Sequence, residues 1–384
     1  MTTSYDLIIV GAGAMGSAAA YHAAKQGAKV LLLDQYDIDH QMGSSYGQSR
    51  IIRYAYDHTA YIPLARAAFQ DWAAVEAEAG ETLYVKTGGI DFAPANDPTF
   101  QKIVDTLHAT GIPYELLTAD EAMARFPQWR LDPDMAVLYQ ADAGLMRASK
   151  CVLAQVRMAR ERGADVLERT TVTQVAPSGD GVKVTTSDAE YTAGRVILSA
   201  GAWMRPLVSA LGVDLPLQPL RSHEIYFRPS DPAMYTPERF PTYIGHLYRE
   251  YGAATYGIGD VGGAGVKIGL HGGVTIDDPT TASREPDTSV IEAMERFAAR
   301  YLPGQWTRAS ARVCLYTMTP DEHFIIDRHP EHAQIVIASP CSGHGFKFST
   351  TIGRILSDLA LKGESPMDIG FFRLSRFATE KALS

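Results

Sequence analysis

The sequence is poor in cysteine, with three in 384 residues, at Cys151, Cys314 and Cys341. An odd number so widely spaced is neither a disulfide framework nor a zinc-ligand pattern, and no metal site is expected. Long hydrophobic runs are missing too. No segment approaches a membrane span. The chain enters a strand-like run almost at once, without the charged, apolar and cleavage segments of a secretory leader. The expectation is a cytoplasmic protein with no membrane contact. Positive charge is in deficit, with 35 Lys and Arg against 44 Asp and Glu for a net charge of -9. That balance disfavours nonspecific binding to nucleic acid. There is no HExxH and no Walker lysine motif, and the GxSxG spacing at Gly43–Gly47 lies in a polar loop region, not at a strand-to-helix elbow. Serine hydrolase, zinc peptidase and phosphoryl-transfer chemistry therefore have no support. Internal repeats and low-complexity segments are absent as well.

What is present is ordinary globular material, 46% hydrophobic. The chain is long enough to exceed one core and to form two interleaved domains. Its most informative stretch is Asp6–Asp34, DLIIVGAGAMGSAAAYHAAKQGAKVLLLD. An apolar run leads into Gly11, Gly13 and Gly16, then a helix-like segment, then a second apolar run ending in Asp34. This is the βαβ dinucleotide fingerprint with both flanking strands. The first glycine allows the tight turn, the second lets the backbone approach a pyrophosphate, and the third lets helix and strand pack closely. The helix N-terminus offers N–H groups and a positive dipole end to phosphates. Asp34 stands where a carboxylate accepts hydrogen bonds from ribose hydroxyls, which argues against a 2′-phosphate.

Further along, residues 35–60 read as a polar loop region with a basic cluster at Arg50 and Arg53. Apolar spacing places helices over 61–79, Ser149–Gly163, near 288–301 and over Ser349–Leu361. A meander runs through Thr170–Val175, Gly181–Thr186 and Tyr191–Ser199, and later strands are expected at Phe324–Ile326 and Ile335–Ala338. Residues 83–141 mix short strands and helices, and Pro216-Leu217-Gln218-Pro219 reads as a domain crossover. The turn Ser342-Gly343-His344-Gly345 before the last helix repeats the logic of the first glycine loop. For a flavin, a second helix N-terminus there would stabilise negative charge on the reduced pyrimidine ring. The fold class expected is α/β with mixed α+β character. A Rossmann-like FAD-binding domain (1–85, 142–218 and 312–384) is interleaved with an antiparallel-sheet substrate domain (86–141 and 219–311).

Several side chains could carry chemistry. Cys314 lies in an apolar run, where an isolated cysteine is most often a packing residue. Lys267 alternates with Val266 and Ile268, so a strand puts it on the opposite face, either partly buried or reaching solvent from an edge. Arg53 and Lys347 would suit a substrate carboxylate, Arg by its planar fork and Lys as a point charge. Surface or salt-bridge roles explain both equally well. His271, Tyr256, Tyr316 and His344 could line a site, although single aromatic or His residues are more often core.

Taken together, GAGAMGSAAA, GSSYGQSRIIRYAY at 43–56, PLQPLR at 216–221, VKIGLH at 266–271, VCLYTMTPDEHFIID at 313–327 and SGHGFKFS at 342–349 resemble the monomeric sarcosine oxidase and N-methyl-tryptophan oxidase family of FAD-dependent amine oxidases. The final FFRLSRF looks like the N-methyl-tryptophan oxidase branch. The resemblance implies FAD attached covalently through Cys314, with Gly11, Gly13, Gly16, Asp34, Ser44, Arg50, Val172, Gly343, Gly345 and Lys347 also binding the cofactor. It implies that Lys267 activates oxygen, that Arg53 and Lys347 grip the substrate carboxylate, and that Tyr256, His271, Tyr316 and His344 line the reacting site. The implied reaction oxidises a secondary, N-methyl amino acid such as sarcosine with O2. The products are the imine, hence formaldehyde and the demethylated amino acid, together with H2O2, made by a monomer. A flavin dehydrogenase using another acceptor, an oxidase of cyclic or glycated amino acids, and a flavin-binding protein without turnover are the alternatives. The chain also departs from the family pattern. Ser45-Tyr46 replaces a histidine pair and Gln48-Ser49 replaces an Asp-Thr pair. Only Asp57 and His58 stand near the expected acid after Arg53, and residues 243–256 diverge.

Overall fold

Leu7, Ile8, Ile9 and Val10 form an unbroken apolar run, and all are buried in the strand Ser4–Val10. Parallel strands covered on both faces read in this way. The computed structural model describes residues 4–377. In it, Ser4–Val10 pairs in parallel with Val30–Leu33 on one side and Glu190–Leu198 on the other. The helix Ala14–Lys25 makes the crossover. Alternation then assigns the faces. Leu7, Ile9, Val30 and Leu32 share an apolar cluster with the helices Ala14–Lys25, Ala148–Glu161 and Ser349–Lys362. Ile8, Val10, Leu31 and Leu33 pack on the other side against Val175, Val182 and Val184 of the meander and Met204 and Val208 of the helix Met204–Ser209. The sheet has eight strands. Strand Glu190–Leu198 serves two partners on one edge: its first half pairs antiparallel with Gly181–Thr186 and its second half in parallel with Ile335–Ser339.

A second sheet of nine strands is built around the long strand Gln218–Pro229. That strand pairs along its length with Trp306–Met318 and, on its other side, with Val266–Leu270. The pairing of Trp306–Met318 continues through residues 312–318. The sheet is antiparallel except where Thr242–Gly245 runs parallel to Gly89–Pro94. Ile225, Phe227, Val266 and Ile268 face the helix Thr288–Tyr301 and its Met294 and Phe297. The period of two leaves Glu224, Tyr226 and Lys267 on the opposite face. A small third sheet joins Arg50–Ile52, Tyr84–Lys86 and Gly144–Met146. The stretch 35–60, expected to be loop, thus holds one short strand that carries Arg50.

Candidate active site

A cavity of about 660 Å³ runs from the first glycine loop to the inner face of the second sheet. Its near end is built from backbone. Gly11 has φ +96°, and a Cβ there would lie 2.6 Å from the carbonyl oxygen of Ser199. A Cβ on Gly16 would lie 1.7 Å from the carbonyl oxygen of Gly11, so only glycine lets the helix start this close to the strand. Gly13 stands at the helix N-cap, and the first turn holds no acidic residue. The loop therefore presents a positive end with nothing to repel a pyrophosphate. Asp34 directly follows the strand Val30–Leu33, where its Oδ2 accepts from the backbone N–H of Ala12 at 2.7 Å and its Oδ1 from that of Tyr36 at 2.9 Å. Ser44 and Val172 line the same wall, and the Ser44 carbonyl accepts from Arg50 at 2.9 Å. Cradle, dipole and volume all fit an extended dinucleotide.

At the far end, Gly343 and Gly345 make room for their neighbours. A Cβ on Gly343 would press within 2.5 Å of the Tyr316 ring and 2.6 Å of the His271 ring, and one on Gly345 would lie 1.8 Å from the carbonyl oxygen of Pro340. Lys347 is buried in the turn that follows, its carbonyl held by the indole N–H of Trp72 at 2.8 Å. Its ammonium donates to the Tyr56 hydroxyl at 2.8 Å and to the His344 carbonyl at 2.6 Å. His344 Nε2 donates to the Glu322 carbonyl at 3.0 Å, which leaves Nδ1 to accept from Tyr56 at 3.2 Å. Among the described residues no carboxylate pairs with Lys347. Burial, with the Arg53 charge adding to it, holds this lysine well below its usual range. Burial and the same two cations push His271 down to about 4, so its ring is neutral near pH 7. Arg53 donates to Asp91 at 3.1 Å and to the Ala55 carbonyl, and Asp91 accepts a second bond from His246 at 2.9 Å. Burial pushes Asp91 up, but Arg53 and His246 outweigh it and keep the carboxyl below its usual range.

Between the two ends lies a charged cluster on the second sheet. Lys267 is 2% exposed and sits on an interior strand, which rules out the edge position reaching solvent. Its Nζ donates to Glu224 Oε1 at 2.9 Å and to the Ser49 carbonyl at 2.8 Å. Glu224 also pairs with Arg50 at 2.8 Å and with Arg312 at 3.2 Å. Burial pushes Glu224 up, yet Lys267 and Arg50 more than reverse it and hold the acid near about 2. Cys314 lines the cavity beside this cluster. Burial pushes its thiol up to about 11, with Glu224 adding to the rise and Arg50 opposing it. Tyr256 and Tyr316 are half-buried side chains whose phenols are raised above their usual range chiefly by desolvation, and Tyr256 donates to the His223 carbonyl at 3.4 Å.

Every site residue expected from the sequence lines this one cavity except Gly16, which supports the loop from behind. Four polar contributors were not foreseen: Glu224, Asp91, His246 and Tyr56. The acid that pairs with Arg53 is Asp91, which arrives from the strand Gly89–Pro94 and not from the loop after Arg53. Its signal was a lone Asp inside GGIDFAP, and that of Glu224 a lone Glu inside HEIYF. A charge within an otherwise apolar strand needs a buried partner.

Two sheets meeting at a glycine-lined cavity, with Lys347 and Arg53 at its far end, give the geometry of a dinucleotide-dependent enzyme. Residues 6–359 match the family described as DAO, FAD dependent oxidoreductase. Monomeric sarcosine oxidase of Bacillus sp. (strain B-0618) is 39% identical, with 100% of this chain and 99% of that protein covered. N-methyl-L-tryptophan oxidase of Citrobacter koseri is 36% identical over 97% of this chain and 99% of that protein. Among solved structures, the Tyr258Phe mutant of NikD, an unusual amino acid oxidase, superimposes with a TM-score of 0.86 at 24% identity, covering 97% of each chain. The chain belongs to the DAO family of FAD-dependent oxidoreductases, within its sarcosine oxidase and N-methyl-tryptophan oxidase group. It is an FAD-dependent amine oxidoreductase acting on CH–NH donors.

Proposed function

We propose that the enzyme oxidises a secondary, N-methyl amino acid such as sarcosine, with O2 as acceptor. The products would be H2O2, formaldehyde from the hydrolysed imine, and the demethylated amino acid. The observation that carries this reading is a pair of cations lining the cavity, a buried Lys347 and a half-buried Arg53. Lys347 has no carboxylate partner among the described residues, and Arg53 shares only Asp91. A substrate carboxylate would complete that electrostatic set. The neutral His271 and the half-buried Tyr256 and Tyr316, which line the cavity, would pack around the amine and exclude water. Bound FAD would supply the two-electron chemistry, held by the Gly11–Gly16 loop, Asp34 and Arg50 and attached through Cys314. Lys267 would present its ammonium to the negative charge that builds as oxygen is reduced. We propose further that the protein works as a cytoplasmic monomer. The division into a cofactor unit (1–85, 142–218, 312–384) and a substrate unit (86–141, 219–311) belongs to the same proposal.

A second reading, a dehydrogenase passing electrons to another acceptor, has one observation in its favour: the Lys267 charge is partly met by Glu224. Anaerobic mixing with sarcosine and then with bulkier N-methyl amino acids tests the main reading through the flavin's visible band. Bleaching by one of them supports it and sizes the pocket. Rapid return of the band on admitting air, with peroxide formed, separates oxidase from dehydrogenase. A band that none of them bleaches defeats the N-methyl reading and moves the search to cyclic or glycated amines.

A further inference from the structure

Buried charge clusters stabilise a fold poorly, because desolvation consumes most of the Coulombic gain. The cluster around Glu224 is a demanding case. One carboxylate, 1% exposed, is shared by Lys267, Arg50 and Arg312, so the four groups together carry surplus positive charge. Strand register brings them together. Glu224 and Arg312 are directly opposed on paired strands. Lys267, on the other neighbour, is opposed to Tyr226, one step along the same face. Arg50 arrives separately, from the strand Arg50–Ile52. Arg50, Glu224, Lys267 and Cys314 all line the cavity. The Lys267 side chain has a flexible stem, and its head is fixed here by two acceptors, Glu224 and the Ser49 carbonyl.

Resting on the proposed role of Lys267 in oxygen reduction, we propose that Glu224 is its positioning residue. The carboxylate fixes the Lys267 ammonium at the cavity wall and keeps it charged at neutral pH, while Arg50 and Arg312 prevent Glu224 from cancelling the positive field. Burial pushes Lys267 down to about 8, and the Glu224 charge is the main influence opposing that fall. The other charged and titratable groups facing Lys267 are Arg50, Arg312, Cys314, Tyr226 and Tyr256. None of these is a second carboxylate. A neutral residue at 224 would leave three cations in mutual repulsion, and lysine is the one of the three able to shed its proton.

The test compares purified holoenzymes of the wild type, Glu224→Gln, Glu224→Asp and Lys267→Met. Two quantities are read: the flavin midpoint potential, by dye equilibration, and the rate of flavin reoxidation by O2 from neutral to alkaline pH. In Glu224→Gln the alkaline loss of oxygen reactivity moves down by about one pH unit, the size expected for one lost charge partner. At pH below that loss, where Lys267 keeps its proton, the midpoint potential shifts positive, because a negative charge has left the cavity wall. Glu224→Asp keeps the charge and recovers most of both properties. An unchanged pH profile and potential in Glu224→Gln, with Lys267→Met still slow to reoxidise, overturns the role of Glu224 alone. Normal reoxidation in Lys267→Met overturns the reading beneath it. If Glu224→Gln does not accumulate as folded protein, Arg312→Gln gives the opposite sign. Removing that competing cation moves the alkaline loss upward and the potential negative, and no movement in either overturns the proposal.

Discussion

Two buried lysines face the same cavity with different partners, and that difference separates their expected work. Lys267 is held by a carboxylate, whereas Lys347 is held by a phenol and a carbonyl. For Lys267→Met we expect flavin reduction by substrate at wild-type rates and reoxidation slowed by roughly 10²–10³-fold, the cost of losing one preorganised charge-stabilising group. Stopped-flow measurement of the two half-reactions checks this. Lys347 predicts a pH effect instead. The ammonium is the form that binds a carboxylate, and burial lowers its ionisation well below the usual lysine range. Binding should therefore be complete at low pH and lost as pH rises through that lowered value. The KM is expected to climb below ordinary lysine pH while kcat changes little. Lys347→Arg, charged throughout, should flatten the climb. The sequence made Lys267 legible through alternation with Val266 and Ile268. Glu224 was hidden because its partners lie 174, 43 and 88 positions away. No local pattern encodes such a convergence.

Secondary-structure elements were the most legible level, since amphipathic period is a local property. The helices Tyr61–Ala79 and Thr288–Tyr301 stand where the apolar spacing puts them, and Gly181–Thr186 ends where the turn residues predict. Residues 83–141 were harder, being short strands whose partners are distant. The parallel pairing of Gly89–Pro94 with Thr242–Gly245 spans more than half the second sheet's sequence and leaves no periodic trace. Close helix packing was also hidden. The helices Ala14–Lys25 and Ser349–Lys362 approach so nearly that a Cβ on Gly353 would sit 2.4 Å from the Ala18 Cβ and 2.7 Å from the Ala19 nitrogen. Backbone atoms cannot yield as a flexible side chain can. Gly353→Ala is expected to destabilise the fold by about 1–3 kcal/mol through overpacking. Ala18→Gly in the same chain should restore part of the loss, and chemical denaturation of both variants measures it. Gly13→Ala makes a useful contrast. Its Cβ would meet mainly the Ser45 side chain, at 2.9 Å, so the expected loss is of flavin and not of fold.

At the scale of the whole molecule, the cavity joins two sheets that otherwise have separate apolar cores. Gly11 and Asp34 line it from the first sheet, and Tyr256, Lys267 and Cys314 from the second. A ligand filling it therefore touches both sheets, and its binding free energy adds to the stability of the native state alone. The proposed covalent attachment at Cys314 makes a discriminating case. In the loaded wild type the ligand cannot leave, so the melting temperature should not depend on added FAD. In Cys314→Ser the cavity keeps its glycine loop, its dipole and Arg50, and FAD would bind reversibly. Raising free FAD to about a hundred times its dissociation constant should then stabilise the variant by ~2.7 kcal/mol. For a chain of 384 residues that is a rise in melting temperature of roughly 3 °C. Denaturing electrophoresis would show flavin fluorescence in the wild-type band and none in the variant. A variant band that still fluoresces would place the attachment at another residue. A wild-type melting temperature that climbs with FAD would mean that the cofactor exchanges freely and that Cys314 is a packing residue after all.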